Sequence, residues 1–510
     1  MRTGNVIRNS WFALVSQAIT IILKAIVQVV FVRTLNAQYL GINGLFSNIL
    51  GMLALAELGI GSAILYNMYA PIAKNDTKRI KALMNFYKSA YIKIGIIVFM
   101  AGIALVPWLD ILIKNKPDIP NLQLIYILYV FNNAISYFFT YKQTILIANQ
   151  QNYIVTKVTI IKNIGMNILQ IIFLLITHKF LPYLIISIIF TIIFNVYNSY
   201  IADKMYPYLK ENREYLDKEE RKLIYKDVYA MMAHKIGGVI VTGTDNLLLS
   251  AYIGITAVGL YSNYVLVLTS VKGFLNQVYD ALLSSIGNLV NTGTEELVYS
   301  TYKKLYLLSF WITGLISIGF SCLVNPVVNL VFGKEYLLED KIVLIMALNF
   351  YVSDLSGIRA ITNKFKSAYG LFWKDRYKPY IESFINLAAS IALLKYFGFM
   401  GVLLGTLVST LCTCFWIEPF VLFKYGFHKS IREYIKSYIK YFCIFVFAWF
   451  VTKIMTLWVN SWLEILCGFV VCLFVPCVIF WIGCKKSKEF YELKVLVKAI
   501  LAKILKRRLE

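Results

Sequence analysis

Residues 39–64 read YLGINGLFSNILGMLALAELGIGSAI. These twenty-six residues carry a single charged side chain, Glu57. A helix needs about 20 apolar residues to cross the hydrocarbon core of a bilayer, so the stretch reads as a membrane span. Outward from it, apolar runs of comparable length recur from Trp11 to Cys484. The 510-residue chain is 59% hydrophobic and only 15% charged, with mean hydropathy +0.67. That is too little charge to cover a soluble surface of this size. The expected fold class is an all-α polytopic membrane protein. Fourteen spans are expected, near residues 10–33, 41–70, 89–109, 122–148, 158–177, 181–202, 232–253, 259–290, 305–331, 341–363, 379–396, 399–423, 439–459 and 463–484. Arg2 and Arg8 precede the first run as they would in a signal peptide. From Trp11 to Val32 that run is too long for a signal core, and a retained helix is expected.

The formal net charge is +24. Its distribution speaks for topology rather than nucleic-acid binding, because no basic domain large enough to fold stands outside the apolar runs. An even number of spans puts both termini on one side. With the N-terminus in the cytoplasm, the inside segments hold five basic residues from Lys74 to Lys88, eight from Lys204 to Lys235 and five from Lys364 to Lys378. Five more run from Lys424 to Lys440 and nine from Lys485 to Arg508. The outside segments hold only seven, which is the positive-inside pattern. The eight cysteines lie in or at the ends of apolar runs without a Cys-x-x-Cys pair, and the three histidines are scattered. No metal site and no cofactor are expected. No Ser/His, His/Asp or metal constellation of an enzyme is present either.

An internal echo organises the chain. GLFSN at Gly44–Asn48 returns as GLYSN at Gly259–Asn263, each early in a span. Pro107–Leu112 resembles Pro326–Val331 at a similar offset. Spans one to six and seven to twelve therefore read as two copies of one unit. Six is even, so the copies enter from the same side and form a parallel repeat, as in secondary transporters with a site between halves. The expected organisation is an N-lobe at 1–202, a cytoplasmic linker at 203–230 and a C-lobe at 231–423. Spans thirteen and fourteen follow at 424–484, then a basic amphipathic tail at 485–510. The linker, with KENREYLDKEERK, reads as a solvated helix. The tail reads as a helix lying on the cytoplasmic leaflet.

An ionisable residue deep in a span costs about 2.5–3.5 kcal/mol on insertion scales, so it faces a partner or a hydrated cavity. Lys24, Glu57, Asp245, Lys272, Asp280, Asp354 and Arg359 are such residues. Glu418, before Pro419, reads as structural. At the GLFSN/GLYSN offset Glu57 aligns with Lys272, giving the halves opposite charges at equivalent positions. Structural ion pairs, or long side chains snorkelling to the interface, are the competing explanation. Lys24, Lys272 and Arg359 are the candidate substrate-binding cations, suited by point charge and ammonium or guanidinium hydrogen bonds to an anion such as phosphate. Glu57, Asp245 and Asp280 are candidate cavity or ion-coupling acids, with H⁺ or Na⁺ as the coupling ion.

The order of features resembles the polysaccharide-transport branch of the MOP exporter superfamily, the Wzx-type flippases of bacterial envelopes. The residues that carry the resemblance are NSWFALVSQ from Asn9, the 39–64 stretch, and ILIANQQNYIVTKVTIIKNIGMNILQI from Ile145. In the second half they are TDNLLLSAYIGITAVGLYSNY from Thr244 and GFMGVLLGT from Gly398. The resemblance implies two six-helix lobes around a central cavity, closing alternately inward and outward. It implies a monomer in the bacterial cytoplasmic membrane, moving an undecaprenyl-diphosphate-linked oligosaccharide to the outer leaflet alongside polysaccharide polymerase machinery. Related flippases meet the diphosphate with cations in the first, second and eighth helices. Lys24 and Lys272 fit the first and eighth, whereas Glu57 departs from the pattern in the second. The resemblance also implies that spans thirteen and fourteen cover a groove for the lipid tail. A multidrug antiporter of the same superfamily and a membrane polysaccharide polymerase are the alternatives. The former favours an acid-dominated pocket, the latter a large outside loop that this chain lacks.

Overall fold

The structure is a computed structural model that describes residues 2–57, 60–113, 119–149, 151–209, 214–225, 228, 243–353 and 356–495. Among the described residues the regular structure is helical. Among these residues, ten helical stretches are long and apolar enough to cross a membrane. They are Val15–Thr34, Thr77–Leu112, Leu122–Thr140, Asn152–Thr177, Phe180–Met205, Ile255–Thr292, Glu295–Val331, Phe399–Tyr425, Arg432–Met455 and Trp462–Cys484. These coincide with expected spans one, three to six, eight, nine and twelve to fourteen. Span eleven is the helix Lys378–Phe397. The first half of span seven, residues 232–242, lies outside the described residues, as does Asp354. The all-α polytopic membrane architecture is thus observed.

Spans two and ten are interrupted. Span two is Ala37–Leu53, a 3-10 turn at Ala54–Glu57 and then Ile60–Ala73. It starts at Asn36, whose side chain accepts from the amides of Gln38 and Tyr39 as an N-cap. Span ten is Asp340–Val352 followed by Ala360–Ala368. Its break is built around Gly357, where a Cβ would lie 2.6 Å from the Phe350 carbonyl and from both Ser353 backbone groups. Only glycine fits a backbone packed that closely. The amide of Ile358 then bonds the Tyr351 carbonyl at 2.9 Å, so the interruption satisfies part of its own backbone.

The chain divides into two compact units, Met1–Leu266 and Val267–Glu510. In the first, a tyrosine-rich core joins Tyr87 and Tyr91 of span three, Tyr137 of span four and Ile64 and Met68 of span two. Leu216, Ile224 and Val228 of the linker are buried in the same core. Among the described residues of the linker the others are mostly exposed, so it is solvated on one face while Leu216, Ile224 and Val228 pack on the helices. Also in this unit, the two echo sequences lie against each other. A Cβ on Gly41 would sit 2.1 Å from the Ile255 carbonyl, and one on Gly259 equally close to the Ala37 carbonyl. Small residues let the starts of spans two and eight cross at backbone distance.

The second echo has two local structures. Pro107 opens a 3-10 turn at Val106–Trp108, whereas Pro326 lies inside the helix Glu295–Val331. In the second unit the core is aromatic, with Phe310 stacked on Tyr441 and Tyr351 on Phe445. Large apolar side chains remain exposed along the spans, among them Ile168, Ile172 and Ile176 in span five and Leu466, Phe469 and Phe474 in span fourteen. Lipid tails are the solvent that suits such faces. From the tail, 488–495 is helical, and residues 496–510 lie outside the described residues. The described part docks on span nine, with Phe490 stacked on Trp311 and Glu489 and Glu492 paired to Lys303 and Lys304.

Candidate functional site

In the first unit, Lys24 is exposed on span one, in line with Thr20 and Gln28 one turn to either side. Asn163 of span five bonds Thr20 at 3.4 Å, and Gln28 donates to Asn263 at 2.9 Å. Lys24 thus belongs to a polar stripe that meets spans five and eight. Glu57 is half-buried at the end of the 3-10 turn, where the helix break turns its carboxylate toward span three. The Tyr91 hydroxyl donates to it at 2.5 Å. Gly61, one turn on, leaves room for this cluster: a Cβ there would meet the Tyr91 hydroxyl, Glu57 Oε1 and the Tyr87 hydroxyl at 2.7–2.9 Å. Asp245 is buried beside Thr244 at the start of the described part of span seven.

In the second unit, the Lys272 ammonium lies 6.0 Å above the Phe350 ring, at the outer limit of a cation–π contact. Asp280, two turns further along span eight, is largely exposed and accepts from Lys364 at 2.5 Å. Arg359 follows the break of span ten directly. It is fully buried, with Nη2 2.9 Å from Glu418 Oε2 on span twelve. Glu418 is the hub of a network: Lys378, at the start of span eleven, reaches its other oxygen at 2.5 Å, and Lys366 lies 3.8 Å away. Lys366 is also paired with buried Asp375. The reading of Glu418 as a structural residue describes this arrangement. Lys366 and Lys378, counted from sequence as loop charges, are buried here, which corrects that placement. A buried charge persists only when paired.

Two features escaped the sequence reading. Lys162 stands half-buried in span five, its ammonium 3.3 Å from Thr191 of span six. Its position within an apolar run was the available signal. The second is a groove of about 470 Å³ in the second unit. It is lined by Val267 and Val271 of span eight, Leu315 and Gly319 of span nine, and Phe469 and Leu473 of span fourteen. Among the described residues, no charged side chain lines it.

A family model described as polysaccharide biosynthesis protein matches residues 6–283, more than half of the chain. The chain belongs to this family. The match contains Lys24, Glu57, Asp245, Lys272 and Asp280, whereas Arg359 lies beyond it. No curated protein sequence matches this chain. Among solved structures, lipid II flippase MurJ in an inward closed conformation is 15% identical, with 92% of this chain and 97% of that chain covered and a TM-score of 0.65. A Vibrio cholerae MATE transporter is 13% identical over 84% of this chain and 97% of its own, with a TM-score of 0.59. A MOP superfamily transporter from Pyrococcus furiosus, described as having a binding pocket of reversed polarity, is 12% identical over 84% and 96%, with a TM-score of 0.57. The fold of this chain is that of the MOP superfamily.

Proposed function

We propose that the protein is a flippase, not an enzyme. Its cargo is an undecaprenyl-diphosphate-linked oligosaccharide repeat unit, moved across the bacterial cytoplasmic membrane by alternating access for surface polysaccharide assembly. Both termini face the cytoplasm in this reading. The observation that carries it is the uncharged groove between spans eight, nine and fourteen. A long prenyl tail needs an apolar path beside the polar route of its headgroup, and a cationic drug does not. Lys24 and Lys272 supply cations to the diphosphate. Glu57, Asp245 and Asp280 are the acids available to a coupling H⁺ or Na⁺.

Gly319 gives a clean test. It lines the groove, and a Cβ added there meets nothing within 4 Å. Gly319→Leu fills the groove and raises helix propensity by up to about 1 kcal/mol. Polysaccharide export should fall while the melting temperature holds or rises. Normal export by this variant removes the groove from the mechanism. Deleting the protein should accumulate a lipid-linked oligosaccharide on the inner leaflet. Loss of drug efflux without that accumulation would instead favour the multidrug antiporter.

A further inference from the structure

A second cavity, of about 420 Å³, lies in the first unit where spans three, four and six end, an edge that charge asymmetry assigns to the cytoplasm. Its walls differ from those of the groove. Span three contributes Asn85 and Lys88, the turn after Thr140 contributes Tyr141 and Lys142, and the last turn of span six contributes Asp203. The linker packs beside it: the Asn85 amide donates to the Glu214 carbonyl at 2.7 Å, and Phe86 meets Tyr225 edge-on. The volume is in the range of small-molecule sites.

Among the described residues, the charges lining this cavity do not cancel. Lys142 donates to Asp203 at 2.6 Å, and both side chains are less than a quarter exposed. An ammonium has three protons, so two remain on Lys142 after that bond. Lys88 has no acid partner among the described residues. Among the described lining residues, two ammonium groups stand against one carboxylate, which leaves one positive charge at the mouth of the cavity. Sugars and zwitterions have no use for that surplus; an anion with several oxygen acceptors does.

The geometry points to a phosphate site: this cavity binds a phosphate ester or phosphate anion through the ammonium groups of Lys88 and Lys142, with Asp203 limiting the affinity. Two sources share this chemistry, the headgroup of an anionic lipid at that membrane edge and free phosphate from the cytoplasm. The cavity opens where headgroups lie, which favours the lipid. The site needs no flippase activity to exist, so its fate and that of the transport reading are separate.

The test uses the full-length protein, delipidated in detergent, with two probes titrated separately: short-chain phosphatidylglycerol and inorganic phosphate. Lys88→Ala changes an exposed side chain and should weaken binding about tenfold, the range of one charge-assisted hydrogen bond. Asp203→Asn should tighten binding severalfold, because it frees Lys142 and removes a repelling carboxylate. A residue that merely supports the fold would not increase affinity when changed. Lipid binding with this dependence identifies a headgroup site, and phosphate binding with the same dependence identifies the free ion. Affinities for both probes that are equal in wild type, Lys88→Ala and Asp203→Asn overturn the proposal, as does the absence of binding by either probe.

Discussion

Replacing Glu418 with Gln should be the most damaging single change in the second unit. The carboxylate is fully buried and receives Arg359 at 2.9 Å and Lys378 at 2.5 Å, with Lys366 at 3.8 Å. Glutamine keeps the shape but removes the charge that three buried cations share. Asp375 still holds Lys366, and Glu382 lies 4.0 Å from Lys378. Removing one partner of a buried ion pair costs about 3–5 kcal/mol, because the remaining charge stays desolvated without compensation. For a unit of this size, that corresponds to a fall in melting temperature on the order of 10 °C. Arg359→Met is the control. It leaves Glu418 with Lys378 and Lys366, so it should cost distinctly less. The assay is thermal unfolding of purified protein in detergent, with wild type and both variants at one salt concentration. A Gln variant melting within about 2 °C of wild type would refute the hub assignment, and so would an Arg359→Met variant that is the less stable of the two.

Other outcomes follow from the same geometry. Lys24→Ala and Lys272→Ala should each abolish surface polysaccharide export at matched expression; normal export by both removes them from the mechanism. Gly61→Ala places a methyl group within 3 Å of the Tyr91 hydroxyl, Glu57 Oε1 and the Tyr87 hydroxyl, and should cost about 1–3 kcal/mol in thermal unfolding; an unchanged melting curve would show that the cluster yields freely. The hydrogen bond from Ser300, aided by Lys304, holds the Glu492 carboxyl below the usual carboxylate range. A carboxyl whose pKa is lowered in the folded state stabilises above its unfolded value, about 4.3, and loses that contribution as pH falls through the folded one. A spin label at exposed position 491 should therefore be immobile at neutral pH and gain mobility only below about pH 4; a pH-independent spectrum counts against this attachment.

Much of the architecture followed from the sequence because crossing a bilayer imposes a length. Among the described residues, ten of the fourteen expected spans coincide with stretches long and apolar enough to cross a membrane, and each was visible as an apolar run with few charges. The GLFSN/GLYSN echo was also legible. That the two copies touch was not, since it depends on Gly41 and Gly259 approaching opposite carbonyls in space. The site was legible only as a set of charges. Composition shows that Lys24, Glu57, Lys272 and Arg359 stand in apolar surroundings, but not what each faces. The break at Gly357 decides that Arg359 meets Glu418, and the break after Leu53 decides that Glu57 meets Tyr91. Lys366 and Lys378 looked like loop charges because burial is set by neighbouring helices rather than by the local run. The 39–64 stretch by itself determined that this chain enters a membrane, because hydrophobicity and length are properties of a segment. Only the tertiary structure decided the partner of its single acid, because pairing is a property of distances between segments.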